Sequence, residues 1–274
     1  CHPRATVVTI HDLGYRHYPR QHTLGARLYL DASSRFSCRA ARRVIADSQA
    51  TARDLVRDYG VGPGKIAVVY PGLDPGIARA ESAVQEAVRL RYRLHRPYVL
   101  YLGTIQPRKN LARLVEAFAR LPEELGNVDL VLAGGTGWLA GEVFRRVAEL
   151  GMESRVHFTG YVPYEDLAAV LSAAECFVMP SLYEGFGLPV LEAMACGTPV
   201  LCSDASSLPE VAGDAALQFP PHDVGAMAEA LARVLGDSAL RQTLVERGYA
   251  RVPLFSWERA SRQVLAVLTE AAQG

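Results

Sequence analysis

Short apolar runs alternate along this chain with longer segments in which apolar positions recur every third or fourth residue. The runs at 5–10 (ATVVTI), 43–46, 66–70, 98–102 (YVLYL), 128–133, 156–159 and 176–179 (CFVM), with another starting at Val200, have the length and composition of buried strands. The periodic segments between them predict helices over 24–42, 48–59, 81–92, 111–121, 142–150 and 165–174. Further helices are predicted from Pro189, at 225–235, at 238–248 and over 256–272, the last capped by Ser256. Strands alternating with helices from 98 to 201 predict an α/β fold with a doubly wound parallel sheet. The turn cluster PGLDPG at 71–76 marks a domain boundary, giving units 1–74 and 75–254 and a closing helix within 255–274.

The densest chemistry lies in 176–201, CFVMPSLYEGFGLPVLEAMACGTPVL. A strand runs into a loop with Gly185 and Gly187. A helix starts near Pro189, whose fixed φ and missing N–H suit a first helical position, and Gly197 and Pro199 stop it. A helix start carries unpaired N–H groups and the positive end of the macrodipole, and glycine lets backbone approach a ligand. A phosphate or diphosphate fits such a place. Glu184 and Glu192 flank the same loop and would repel phosphate, so a ligand here must also offer hydroxyls. A nucleotide sugar offers both. Glu192 alone is equally well explained as an acid in a first helical turn, and the glycines as a turn.

The run EGFGLPVLEAMACGTPV resembles the retaining glycosyltransferases of family 4, marked by two glutamates with seven residues between them. The resemblance covers nearly the whole chain, and is strongest at 181–201. It implies the GT-B architecture, two Rossmann-like domains facing a cleft: an incomplete acceptor-side domain in 1–74, a donor-binding domain in 75–254, and a C-terminal helix in 255–274 that crosses back onto the N-terminal domain. It implies transfer of a sugar from a nucleotide diphosphate donor to an acceptor hydroxyl with retained configuration, in polysaccharide or glycoconjugate synthesis, with no cofactor. It places the donor sugar on Glu184, Gly185, Phe186 and Gly187, the ribose on Glu192, and the base on Tyr161, Val162 and Gly134.

Two other loops gain meaning from it. GTIQPRKN at 103–110 joins a strand to a helix, and Arg108 with Lys109 can neutralise a diphosphate without a metal. Exposed cations at a capped helix start are the plainer explanation; the spacing is not that of a Walker loop. The resemblance gives the diphosphate to Lys109 and Arg108 with Gly187, Leu188 and Pro189. His11 and Asp12 end the first strand, where α/β sheets gather ligands, and the resemblance puts His11 beside the donor sugar as a second catalytic candidate after Glu184. His11, His17 and His22 have loosely metal-like spacing, yet no HExxH or carboxylate triad accompanies them, so no metal is expected. The glycines at 134–137 are not a dinucleotide fingerprint.

Composition narrows the field. The 29 basic and 29 acidic side chains cancel, which argues against nucleic acid as a partner. No apolar run approaches the ~18 residues of a membrane span, and the N-terminus lacks the apolar core of a signal peptide. The five cysteines, Cys1, Cys38, Cys176, Cys196 and Cys202, form no CxxC pair and suggest neither disulfides nor zinc, consistent with a reducing cytoplasm. The chain has no initiator Met and enters a strand at once, which suggests a truncated N-terminal domain. The absent residues are then expected to bind much of the saccharide or lipid-linked acceptor and to provide any peripheral membrane contact. Apolar surface around 5–10 and 44–46 is expected to lie uncovered. The GTIQPRKN form leans toward bacterial mannosyltransferases. A nucleotide-sugar epimerase or hydrolase on the same scaffold, and a binding or scaffold module without transfer activity, are the rival classes.

Overall fold

The computed structural model describes residues 5–19 and 23–273; Cys1 and His22 lie outside them. Two parallel sheets organise the described chain. The smaller holds β1 (Val7–Ile10), β2 (Arg43–Ala46) and β3 (Ile66–Val68) in that order. Around it in sequence come α1 (Gly14–His17), α2 (Leu24–Ala40) and α3 (Gln49–Tyr59). Ser48 caps α3 by accepting from the Thr51 N–H, and Gly60 ends it in the left-handed region.

After α4 (Ser82–Arg91) comes the larger sheet: β4 (Tyr98–Leu102), β5 (Asp129–Ala133), β6 (Val156–Gly160), β7 (Cys176–Met179), β8 (Val200–Ser203) and β9 (Ala216–Phe219). Its spatial order is β6-β5-β4-β7-β8-β9, all parallel. Both faces are covered by helices, so successive residues alternate between two cores. Tyr98, Leu100, Val131, Phe177 and Met179 face one, with α7 (Tyr164–Ser172), α8 (Leu188–Ala195) and α9 (Leu208–Ala212). Val99, Tyr101, Leu130, Leu132, Cys176 and Val178 face the other, with α5 (Leu111–Ala119), α6 (Gly141–Glu149), α10 (Val224–Gly236) and α11 (Ser238–Arg251). This is the pattern of a parallel sheet buried on both sides.

Order reverses between β4 and β7. From β4 the chain proceeds to β5 on one side, and from β7 to β8 on the other, which leaves a crevice at the carboxyl ends of these neighbouring strands. Both loops singled out above, 103–110 and 180–187, emerge there.

The chain passes between the two sheets twice, side by side. Leu73 donates its N–H to the Phe255 carbonyl and pairs with Ser256. Gly72 lies so close to the Trp257 backbone that a Cβ would sit 2.1 Å from its nitrogen. The last helix, α12 (Trp257–Gln273), then returns to the small sheet. Ala260 and Val267 pack there on Ile45 and Val69, and Arg43 pairs with Glu270 at 3.0 Å. Val44, Ile45 and Ala46 are therefore buried, and the expected exposed apolar surface at 44–46 is absent. It is absent because α12 covers one face of β2 while Val44 and Ala46 join the core on the other.

Candidate active site

The loop after β4 makes one tight turn at Pro107–Lys109, and Asn110 follows in the left-handed region. The buried Asn110 amide donates to the carbonyls of Pro180 (3.0 Å) and Pro221 (2.7 Å), tying this loop to the one after β7. Arg108 and Lys109 thereby converge on one carboxylate. Lys109 Nζ donates to Glu184 Oε1 at 2.6 Å, and Arg108 Nη1 to Oε2 at 3.0 Å and to the Tyr183 carbonyl at 2.6 Å. Burial alone would push the Glu184 carboxyl up, but Lys109 and Arg108 outweigh it and hold it below the usual range. The trio is thus ionised, with two cations to one anion.

Backbone bonds fix Glu184 as firmly as its side chain does. Ser206 Oγ accepts from the Glu184 N–H at 3.2 Å, and Ser207 Oγ donates to the carbonyls of Glu184 (3.0 Å) and Phe186 (2.6 Å). Ser206 has φ +58, an uncommon conformation for a residue with a Cβ. Sequence reasoning missed Ser206, Ser207, Asn110 and Tyr183. A Ser-Ser pair before a helix looks like an ordinary cap, and no spacing rule links it to a glutamate in another loop.

Gly187, at φ +117, turns the chain into α8, with Leu188 and Pro189 as its first residues. Pro189 has no N–H and that of Val190 returns to the Gly187 carbonyl at 3.0 Å. The N–H groups of Gly187 and Leu188 have no partner among the described residues. One turn further along, Glu192 is half-buried, and its carboxyl also has no hydrogen-bond partner among the described residues. Burial, with the Asp74 charge second, pushes its pKa up. The sign is that of an acid whose charged form is disfavoured, so Glu192 protonates at higher pH than an ordinary glutamate. A ligand hydroxyl that donated to this carboxylate would therefore lose its bond early on acidification. Nucleotide titrations across mildly acidic pH should show affinity falling in the wild type and a flatter curve in Glu192→Gln; parallel curves would mean Glu192 does not meet the ligand.

The small sheet closes over this loop. A Cβ on Gly185 would lie 2.5 Å from the His11 carbonyl oxygen and 2.8 Å from Asp12 Cβ. Thr51 Oγ1 donates to the His11 carbonyl at 3.2 Å. Tyr183 OH accepts from the Leu13 N–H (3.2 Å) and donates to Asp54 (2.9 Å), while its ring stacks on His17 at 4.5 Å. Glu210 on α9 reaches the start of α3, accepting from the N–H groups of Gln49 (2.8 Å) and Ala50 (2.9 Å). His11 presents an exposed ring to the cleft, its Nδ1 2.6 Å from Asp47 Oδ2. His11 and His17 have different partners and do not converge. His17, Asp54 and Asp58 do gather, but Arg57 pairs with both aspartates at 2.7 Å, so an ion-pair network accounts for the cluster.

The base candidates sit on the same rim, at the ends of β5 and β6. Tyr161 is 76% exposed while Val162 belongs to the core. Gly134, at φ +143, donates to Gly160 and lies against the Gly103 carbonyl, where a Cβ would sit 2.0 Å away. Its glycine identity is thus fixed by strand-end packing.

Family models match both parts of the chain: glycosyl transferases group 1 over residues 86–251 and glycosyltransferase family 4 over residues 1–76. The chain belongs to the glycosyl transferases group 1 family. Sugar transfer is the role this membership supports. Among curated relatives, O-antigen chain mannosyltransferase B of Escherichia coli is 35% identical over 261 residues, 94% of this chain and 68% of that protein. The serotype-specific mannosyltransferase WbdA of Escherichia coli is 31% identical over 280 aligned positions, 99% of this chain but 34% of that protein. The chain thus spans about two thirds of the first and one third of the second. Among solved structures, HepE of Anabaena in complex with UDP and glucose superposes with a TM-score of 0.84 at 22% identity, over 96% of this chain and 71% of that one. Sucrose-phosphate synthase of Thermosynechococcus elongatus gives 0.80 at 31% identity, over 96% and 67%. The architecture is GT-B. In this group 1 glycosyltransferase Glu184, the basic pair and the glycine turn therefore meet at the sheet's topological switch, with Glu192 one turn further along α8. No helix among the described residues is long and apolar enough to cross a membrane.

Proposed function

We propose that this crevice takes a nucleotide diphosphate sugar and passes the sugar, mannose by analogy with the curated relatives, to a saccharide hydroxyl with retained configuration. The observation that carries the reading is the convergence of Arg108 and Lys109 on Glu184 beside the start of α8. A diphosphate placed there meets two cations and the open N–H groups of Gly187 and Leu188, so no divalent ion is required. Glu184 and the 185–187 turn face the donor sugar, Glu192 the ribose, and Tyr161, Val162 and Gly134 the base. His11 closes the sugar site from the small sheet.

In the reaction the acceptor oxygen bonds to the anomeric carbon on the face the diphosphate leaves, as the bond to the departing phosphate oxygen breaks. The acceptor proton passes to that oxygen. The residues contribute by stabilising the charge that develops on the diphosphate, the kind of effect that often dominates enzyme catalysis. Incubation with a panel of nucleotide sugars and a saccharide acceptor in EDTA, followed by NMR of the product, tests this. The expected product keeps the donor's anomeric configuration. An inverted product, or a strict Mg²⁺ or Mn²⁺ requirement, would overturn the reading.

A further inference from the structure

Ser206, between β8 and α9, has φ +58, in the left-handed region that glycine enters freely and that costs a residue with a Cβ. Backbone outliers of this kind persist only where the surroundings hold them, and they gather at functional sites. The surroundings here are firm. Ser207 and Leu208, next in the chain, are fully buried, and a Cβ on Gly187 would lie 2.7 Å from Leu208 Cδ2. Arg251 donates to the Glu210 carbonyl at 2.6 Å and also to that of Val211, which fixes the far end of α9. In return the strained residue grips a single neighbour. Its hydroxyl accepts from the Glu184 N–H at 3.2 Å and donates to the Glu184 carbonyl at 2.5 Å, so both backbone polar groups of that glutamate end on one Oγ.

We propose that Ser206 is a positioning residue for sugar transfer, its hydroxyl keeping Glu184 aimed at the donor sugar after Lys109 and Arg108 have turned to the diphosphate. In the free protein those two cations hold the carboxylate at 2.6 and 3.0 Å. A diphosphate draws them to itself, because it offers more charge than one carboxylate. Glu184 then keeps its place through its backbone, and Ser206 is the side chain that holds that backbone at both the N–H and the carbonyl. For the fold alone glycine would serve better at φ +58, since it takes that conformation without strain. The inference rests on the sugar-transfer reading above and adds to it what holds Glu184 once ligand is present.

Calorimetry on the wild-type chain, Ser206→Ala and Ser206→Gly tests this, each titrated with GDP and GDP-mannose and with UDP and UDP-glucose. In both variants the Kd of the nucleotide sugar that the wild type binds should rise at least tenfold, while the Kd of its bare diphosphate changes less than twofold. Thermal melts separate this from a loss of stability. Ser206→Gly should melt about 2–4 °C above Ser206→Ala, because it sheds the backbone strain, and yet bind the nucleotide sugar no better. Ser206→Thr keeps the hydroxyl, so it should melt below Ser206→Gly and still retain most of the affinity for the nucleotide sugar. Equal losses for the diphosphate and the nucleotide sugar, or sugar affinity that follows melting temperature across the three variants, refute the positioning role alone. A wild type that binds a nucleoside diphosphate but no nucleotide sugar refutes the functional reading, and the role of Ser206 with it.

Discussion

Glu184→Gln should melt roughly 6–20 °C below the wild type, bind a free nucleoside diphosphate more tightly, and lose sugar transfer. Its carboxylate is buried between two cations at 2.6 and 3.0 Å. Removing one partner of a buried ion pair costs about 3–5 kcal/mol, because the charge left behind has neither water nor counter-ion. At ~2–4 °C per kcal/mol for a protein of this class, that is the expected shift. The same uncompensated charge attracts a diphosphate, so affinity for the bare nucleotide rises. The proposed contact with the donor sugar is lost as well, so turnover should fall with it. Thermal melts, calorimetry and an activity assay check the three signs together. A variant that keeps its melting temperature would show that Glu184 is not the counter-ion of Lys109 and Arg108. A variant with weaker nucleotide affinity would place its carboxylate on the nucleotide instead.

Lys109→Met should move nucleotide binding the other way. It leaves Glu184 paired with Arg108, so the protein survives, but the site drops from two cations per carboxylate to one. A charged hydrogen bond to phosphate is worth about 1.5–3 kcal/mol, which is about 10–150-fold in Kd. The loss should be large for a nucleoside diphosphate and small for the nucleoside. Equal losses for both would mean that Lys109 supports the fold and not the phosphates.

The opposed signs follow from contacts the sequence does not display. Glu184, Arg108 and Lys109 were legible as separate motifs, because a glycine turn and a basic strand-end loop each carry a local signature. Their mutual ion pairing was not legible, since it joins loops 75 residues apart whose adjacency depends on the β4–β7 pairing. The alternation of strands and helices was clear wherever apolar runs were undiluted, as in YVLYL and CFVM. β9 escaped because Ala216–Phe219 includes Gln218, which turns to the Gly213 carbonyl at 2.7 Å. α12 was legible as a helix, and its crossing back onto the N-terminal domain was expected from the resemblance; which strand residues it would cover was not legible, so surface at 44–46 was expected to be bare. Trp138 and Gln106 lie in loops with no periodicity, and the backbone pairing of Ile105 with Gly135 and Gly137 brings those loops together.

In the proposed function, the crevice between β4 and β7 reads a diphosphate through Arg108, Lys109 and the start of α8. Calorimetric titration of the wild-type chain with a nucleoside diphosphate and the matching monophosphate, both in EDTA, measures this directly. The diphosphate should bind at least tenfold more tightly, with the difference shrinking in Lys109→Met. Equal affinities, or binding that appears only when a divalent ion is restored, would contradict it.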